Sequence, residues 1–281
     1  GLGGEVAAVS LGRYHSVVVT VGGDVYCWGS NLRGQCGPGG PTMEQAGSSS
    51  PNPVPTLLPR SLWGGLGAVA VATGQFNTLV QLSDASVWGF GRNFQGNLGT
   101  LNYGFTKPVD TPVCVSCALP GGGGLHRVVG FAAGSDHTML LVKERAREGH
   151  PPVLYGMGSN RFGQLGAGKG LATSPEPLPL FHLAQGCAAG IGKSDRGLCA
   201  SQAMEFTAIY AGCDVTFATT TRPQCPPGSS GMAGVLPCTP CADGTISTAY
   251  GQEQCAPCPR GFRGLTGASS CIACPNGTDT A

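Results

Sequence analysis

Apolar residues in this chain come in short runs, and the runs recur. An apolar stretch at residues 6–9 leads into a tight Gly turn, a β-branched run, a hairpin turn and an aromatic run ending in Asn-x-x-Gly. The opening stretch returns at 69–72 and at 128–132. The segment Gly12-Arg13-Tyr14-His15-Ser16-Val17-Val18-Val19-Thr20 is matched by Gly74-Gln75-Phe76-Asn77-Thr78-Leu79-Val80 and by Gly134-Ser135-Asp136-His137-Thr138-Met139-Leu140-Leu141-Val142. A weaker fourth copy starts at Gly212, so the copies begin 62, 60 and 78 residues apart. The first three are each followed by a second block: 25–37, 87–99 and 154–166, carrying Asn31-Leu32-Arg33-Gly34, Asn93-Phe94-Gln95-Gly96 and Asn160-Arg161-Phe162-Gly163. β-Branched and aromatic runs of this length, bounded by Gly, read as strands. Several such strands repeated at a fixed period predict the antiparallel blades of a propeller.

Local chemistry supports the same reading. Pro53-Val54-Pro55, Pro108-Val109 and Pro177-Leu178 follow the second blocks, where Pro, lacking an N–H, is tolerated only on an outer edge strand. Gly12, Gly34, Gly37 and their counterparts are expected to fill positive-φ turns, and Asn31, Asn93 and Asn160 to bond the backbone of their own loops. Trp28, Trp88, Phe90 and Tyr155 fall in phase with the repeat, which predicts blade core rather than a sugar-stacking surface. His15 and His137 share one repeat position and are expected to make structural hydrogen bonds.

The paired blocks closely resemble the regulator of chromosome condensation repeat family, whose units read roughly Gly-x-x-His-(Ser/Thr) and then Trp-Gly-x-Asn-x-x-Gly-Gln-Leu-Gly. The resemblance covers about residues 5–221. Asn77 and Val215 replace the His, Phe90 and Met157 the Trp, and Cys36 stands where other copies have Leu98 and Leu165. It implies a wheel of about seven blades closed by strands from the two chain ends. Three and a half blades are expected within residues 1–221. The half blade at 206–221 would be completed by sequence preceding Gly1. The expected class is therefore all-β: a partial seven-bladed β-propeller followed, at 222–281, by small disulfide-stapled cysteine-rich modules.

That tail is where composition changes the picture. Of 14 Cys, seven lie in the last 57 residues, spaced C-x12-C-x2-C-x13-C-x2-C-x12-C-x2-C from Cys225 to Cys274. Few large apolar groups accompany them (Leu236, Ile246, Tyr250, Phe262, Leu265, Ile272), too few to offset chain entropy without staples. The economical pairing joins Cys225 with Cys238, Cys241 with Cys255 and Cys258 with Cys271, each closing a loop worth about 3 kcal/mol. Cys274 is then left for a partner outside the chain. Zinc held by Cys238, Cys241, Cys255 and Cys258 is the competing reading. The Cys-Pro-x-Gly periodicity is similar to the cysteine-rich repeats of ephrin and tumour-necrosis-factor receptors. Upstream, Cys27 with Cys36 and Cys187 with Cys199 are bridgeable, Cys114 with Cys117 fits a short disulfide, and Cys213 is open to Cys225 or to an external partner. Such density points to an oxidising compartment, and Asn276-Gly277-Thr278 is a glycosylation acceptor sequence that agrees with export.

Charge and motifs narrow the functions. The chain of 281 residues carries 16 basic and 15 acidic side chains, a balance that argues against nucleic-acid binding as a default. No apolar run is long enough to span a bilayer; the longest, at 66–72, is broken by Gly. The segment Gly190-Ile191-Gly192-Lys193-Ser194 ends like a phosphate loop, but Cys187 stands where that motif requires Gly. His126, His150 and His182 bear no regular relation to Cys or carboxylates. The basic stretch 143–148 reads as a solvated loop. No catalytic residue, cofactor or metal site is nominated. The expectation is a non-enzymatic extracellular protein that assembles with itself or with other proteins, at the cell or flagellar surface. The Gly- and Ala-rich composition and the Pro/Ser loop at 38–61 resemble green-algal secreted proteins such as those of flagellar hairs. The order of propeller and cysteine repeats also resembles the ectodomains of crinkly-type receptor kinases. The third reading is the guanine-nucleotide exchange of the namesake family.

Overall fold

The computed structural model describes residues 1–38, 52–100, 108–147, 152–167, 170–181, 206–220, 225, 227–231 and 238–274. Each repeat forms an antiparallel meander. The first contains β1 (Val6–Leu11), β2 (His15–Thr20), β3 (Val25–Gly29) and β4 (Asn52–Leu58). The second contains β5 (Ala68–Thr73), β6 (Asn77–Leu82), β7 (Val87–Gly91) and β8 (Val109–Cys114); the third β9 (His126–Ala133), β10 (His137–Glu144), β11 (Val153–Ser159) and β12 (Thr173–Phe181). The fourth repeat is the hairpin β13 (Phe206–Ala211) and β14 (Thr216–Thr220). It is not free-standing, because Ile209 is buried among Ala132, Met139, Leu141 and Leu154 of the third sheet. The Pro-bearing segments are the outermost strands β4, β8 and β12, where a missing N–H leaves no ladder partner unsatisfied.

The second strands read as unbroken apolar runs because both of their faces are covered. Side chains alternate across a strand, so Val80 and Leu82 enter the core shared with Val17, Val19, Val25 and Leu58, while Leu79 enters the one shared with Leu140, Val142 and Met157. β10 repeats the device, with Leu140 and Val142 on one side and Met139 and Leu141 on the other. Trp63, which the repeats do not single out, fills the first of these cores and donates Nε1–H to the Leu66 carbonyl at 3.1 Å. Of the repeat-phased aromatics, Phe90 is fully buried and Trp88 and Tyr155 pack on the cores. Trp28 differs: it is half-buried and belongs to none of these clusters.

The glycines separate into two kinds. Gly34, Gly37, Gly96, Gly99, Gly163 and Gly166 have φ between 69° and 80°, as expected. Gly12, Gly74 and Gly134 do not have positive φ, which corrects the expectation for that position. A Cβ on Gly12 or Gly134 would run into the imidazole of His15 or His137, and one on Gly74 into the Gly134 carbonyl. These glycines leave room for a ring and for the neighbouring sheet.

In the tail, which belongs to the second of the chain's two compact units, two-residue ladders alternate with disulfides. β15 (Ser229–Ser230) pairs with β16 (Thr239–Pro240), β17 (Thr245–Ile246) with β18 (Ala256–Pro257), and β19 (Phe262–Arg263) with β20 (Ile272–Ala273). Cys225–Cys238, Cys241–Cys255 and Cys258–Cys271 are bonded, with Cα atoms 5.5, 5.7 and 5.8 Å apart. The sulfurs that a zinc site would require are thereby engaged in pairs. Gly228, Gly244 and Gly261 close the Cys-x-x-Gly turns at φ 86°, 84° and 82°. The carbonyl of each then accepts the amide of the next unit's Cys: Cys241 on Gly228, Cys258 on Gly244, Cys274 on Gly261, at 2.8–2.9 Å.

Candidate protein-docking face

Two sets of loops share one end of the blades. The turn after each first strand accepts an amide from the start of the Asn loop: Ser30 N–H donates to Tyr14 O at 2.7 Å, Arg92 N–H to Phe76 O at 2.8 Å and Ser159 N–H to Asp136 O at 2.7 Å. Asn31 fixes its loop by accepting from Cys36 N–H at 2.7 Å and donating to Gly37 O at 3.0 Å. Asn93 and Asn160 accept from Leu98 and Leu165 in the same way. The loop tips are thus rigid and can hold whatever side chains they carry.

Beneath this end the sheets are tied by buried histidines. His15 Nε2 lies 2.9 Å from Thr78 Oγ1, whose proton goes to Gln35 O at 2.7 Å. A hydroxyl has one proton, so Nε2–H is the donor and His15 is the Nε2 tautomer. His137 makes the equivalent bond to Thr216 Oγ1 at 2.9 Å. Burial holds both imidazoles down to about 4, the nearby Asp214 carboxylate opposing this at His137. At the intervening junction Asn77 replaces the His; its Nδ2 and Oδ1, and the Thr138 hydroxyl, are buried without partners. His15 and His137 thus make the hydrogen bonds expected of their shared repeat position, each between neighbouring sheets.

On the surface above them, aromatic rings and guanidinium groups form a continuous stack that the sequence reading missed. Arg13 sits over Tyr14 at 5.1 Å, Tyr14 meets Phe76 at 5.9 Å, and Arg92 lies over Phe76 at 5.4 Å and over Phe94 at 4.2 Å. Arg33 covers Phe94 at 5.4 Å. Arg92 Nε is 3.2 Å from Asp136 Oδ1, near enough to pair although not aligned as a hydrogen bond. Desolvation lowers the Arg92 guanidinium pKa and raises the Asp136 carboxyl, with their mutual attraction opposing both shifts. The hint in the sequence was negative: 13, 14, 33, 76, 92 and 94 are positions where the repeats disagree, close to the invariant Gly12, Asn31 and Gly34 and their counterparts. Beside the stack, residues 11–13, 73–75, 133–135 and 211–213 line a depression of about 410 Å³.

The remaining expected positions are dispersed. Cys27–Cys36 is a disulfide buried in the first core, and Cys114–Cys117 is bonded. Cys213 is exposed and, like Cys274, a free thiol, so the Cys213–Cys225 alternative does not hold. His126 Nδ1 lies 3.1 Å from Gly122 O. Arg145 is exposed, as expected of a solvated segment, and donates to the Asp84 carbonyl at 2.8 Å. Cys187, Cys199, the segment 190–194, His150, His182 and Asn276 lie outside the described residues. Among the described residues no group of three or more His, Cys, Asp or Glu could hold a metal, and no helix is long and apolar enough to cross a membrane.

Residues 6–35 and 84–141 match the Regulator of chromosome condensation (RCC1) repeat. Human probable E3 ubiquitin-protein ligase HERC4 is 30% identical over 181 residues, 64% of this chain and 15% of that protein. Rat alsin is 34% identical over 115 residues, 38% of this chain and 6% of that protein. The chain thus spans a small part of the curated relatives' length. Among solved structures, human WBSCR16 aligns with TM-score 0.56 and 20% identity over 84% of this chain and 50% of that one. Yeast RCC1 (Prp20), bound to Kap60, aligns with TM-score 0.55 and 17% identity over 76% and 41%. The chain carries RCC1 repeats folded as RCC1-like propeller blades, followed by a disulfide-bonded C-terminal part.

Proposed function

We propose that the chain is a non-enzymatic, extracellular interaction protein. Its blades would form part of a larger wheel that presents a rigid docking face, and its cysteine repeats would connect that face to an assembly such as a surface filament. The carrying observation is the tail: three disulfides, repeated in register with three glycine turns, take the place of an apolar core. Disulfides of this density are typical of compartments where thiols are kept oxidised, which supports this reading. The buried Cys27–Cys36 bond extends the same argument to the first blade. A receptor ectodomain shares this logic and is separated from a filament subunit by the sequence that follows Ala281: an apolar span there supports a receptor, further Cys-x-x-Gly units an assembly subunit. Yeast Prp20 is described as binding Gsp1p and histones; exchange stimulation by this chain would favour the namesake activity instead. Peptide mapping of the native protein without reductant tests the proposal. Recovery of the 225–238, 241–255 and 258–271 linkages supports it, whereas free tail thiols in protein isolated under alkylating conditions refute it.

A further inference from the structure

We propose that the stack formed by Arg13, Tyr14, Phe76, Arg92, Phe94 and Arg33 docks an acidic polypeptide segment. This deepens the reading of the propeller as a docking face and rests on it. Arg92 is half-buried between two rings and paired with Asp136. Arg13 and Arg33, at the two ends, each lie on a ring and have no carboxylate partner among the described residues. Asp110 runs beside Gly34, yet its carboxylate makes no ion pair with Arg33; it receives the Thr111 hydroxyl at 3.4 Å. A guanidinium held within cation–π range of a ring gives up part of its rotamer freedom before any ligand arrives. Two such groups flanking a shared aromatic surface are suited to carboxylates spaced along one extended chain, each accepting a bidentate fork. The rings between them offer apolar area to the peptide's stems, and Arg with Tyr is the composition of binding hot spots. The rigid Asn loops and turns beneath hold this geometry without the ligand.

The test uses the oxidised full chain and a short fluorescein-labelled peptide rich in Glu and Asp, followed by anisotropy. A peptide with Gln and Asn at the same positions and a short DNA duplex serve as competitors. Binding of the acidic peptide alone, weakening as salt rises, is expected. Arg13→Ala and Arg33→Ala should each weaken it about fivefold. Arg33→Lys, which keeps the charge but not the stacked fork, should recover little of the loss. Tryptophan fluorescence confirms that the variants are folded. Absence of binding, binding indifferent to both Arg→Ala changes, full recovery by Arg33→Lys, or preference for DNA would each overturn the assignment. None of these outcomes alters the disulfide map, so failure here is distinct from failure of the extracellular reading.

Discussion

Lowering the pH protonates histidine readily in an unfolded chain but not inside these blades. His15 and His137 are held near 4 by burial, against an ordinary value of 6.5. Because the folded value lies below the unfolded one, the unfolded chain binds more protons between the two, and stability falls as pH drops through that window. From near neutrality to about pH 5, linkage gives a loss of about 2 kcal/mol per histidine, or about 4 kcal/mol for both. Asp136, whose carboxyl is raised by burial, works in the opposite sense: protonation in the acid range favours its folded form. The readout is well placed, since Trp28, Trp63 and Trp88 all lie in the blades and the tail has none. Urea titrations followed by tryptophan fluorescence should show the midpoint falling by roughly 1 to 2 M over this range. His15→Asn, which installs what the second repeat already carries, should lower stability at neutral pH and reduce the pH slope by about half. A midpoint insensitive to pH, or an unchanged slope in His15→Asn, would refute the link between burial of these rings and the blade junctions.

Two substitutions probe the same junctions from the other side. Asn77→His should place a ring within reach of the unpartnered Thr138 hydroxyl, because Gly74 retains the space such a ring needs; a stabilisation of about 1 kcal/mol is expected in urea melts, and no gain would argue against the junction chemistry. Gly134→Ala should cost roughly 2 to 4 kcal/mol, since its Cβ would meet both His137 and the Gly212 carbonyl; a change within half a kcal/mol would show that the sheets can part there freely.

The blades and tail staples were legible because each depends on residues close in sequence. Asn31 bonds Cys36 five positions away, and Cys241 pairs with Cys255 fourteen positions away, so spacing alone carries the information. The stack was hidden because it joins residues from different repeats: Tyr14 reaches Phe76 across 62 positions, and no local pattern marks the pair. Gly12 was misread for the same reason. Its own turn does not demand glycine; the His15 ring above it and the Gly74 carbonyl of the next sheet do. What the sequence concealed at Trp63 was an outlier to the repeat: a lone residue between sheets fills a core that the repeated positions leave incomplete.

The amide of Cys241, Cys258 or Cys274 seated on the preceding unit's glycine carbonyl makes each tail module dependent on one neighbour for its register. Adding or deleting a module leaves the form of the remaining joints unchanged, so the tail can be lengthened by gene duplication without redesigning any single piece. The number of modules can then change in steps of one without disturbing the fold of any other.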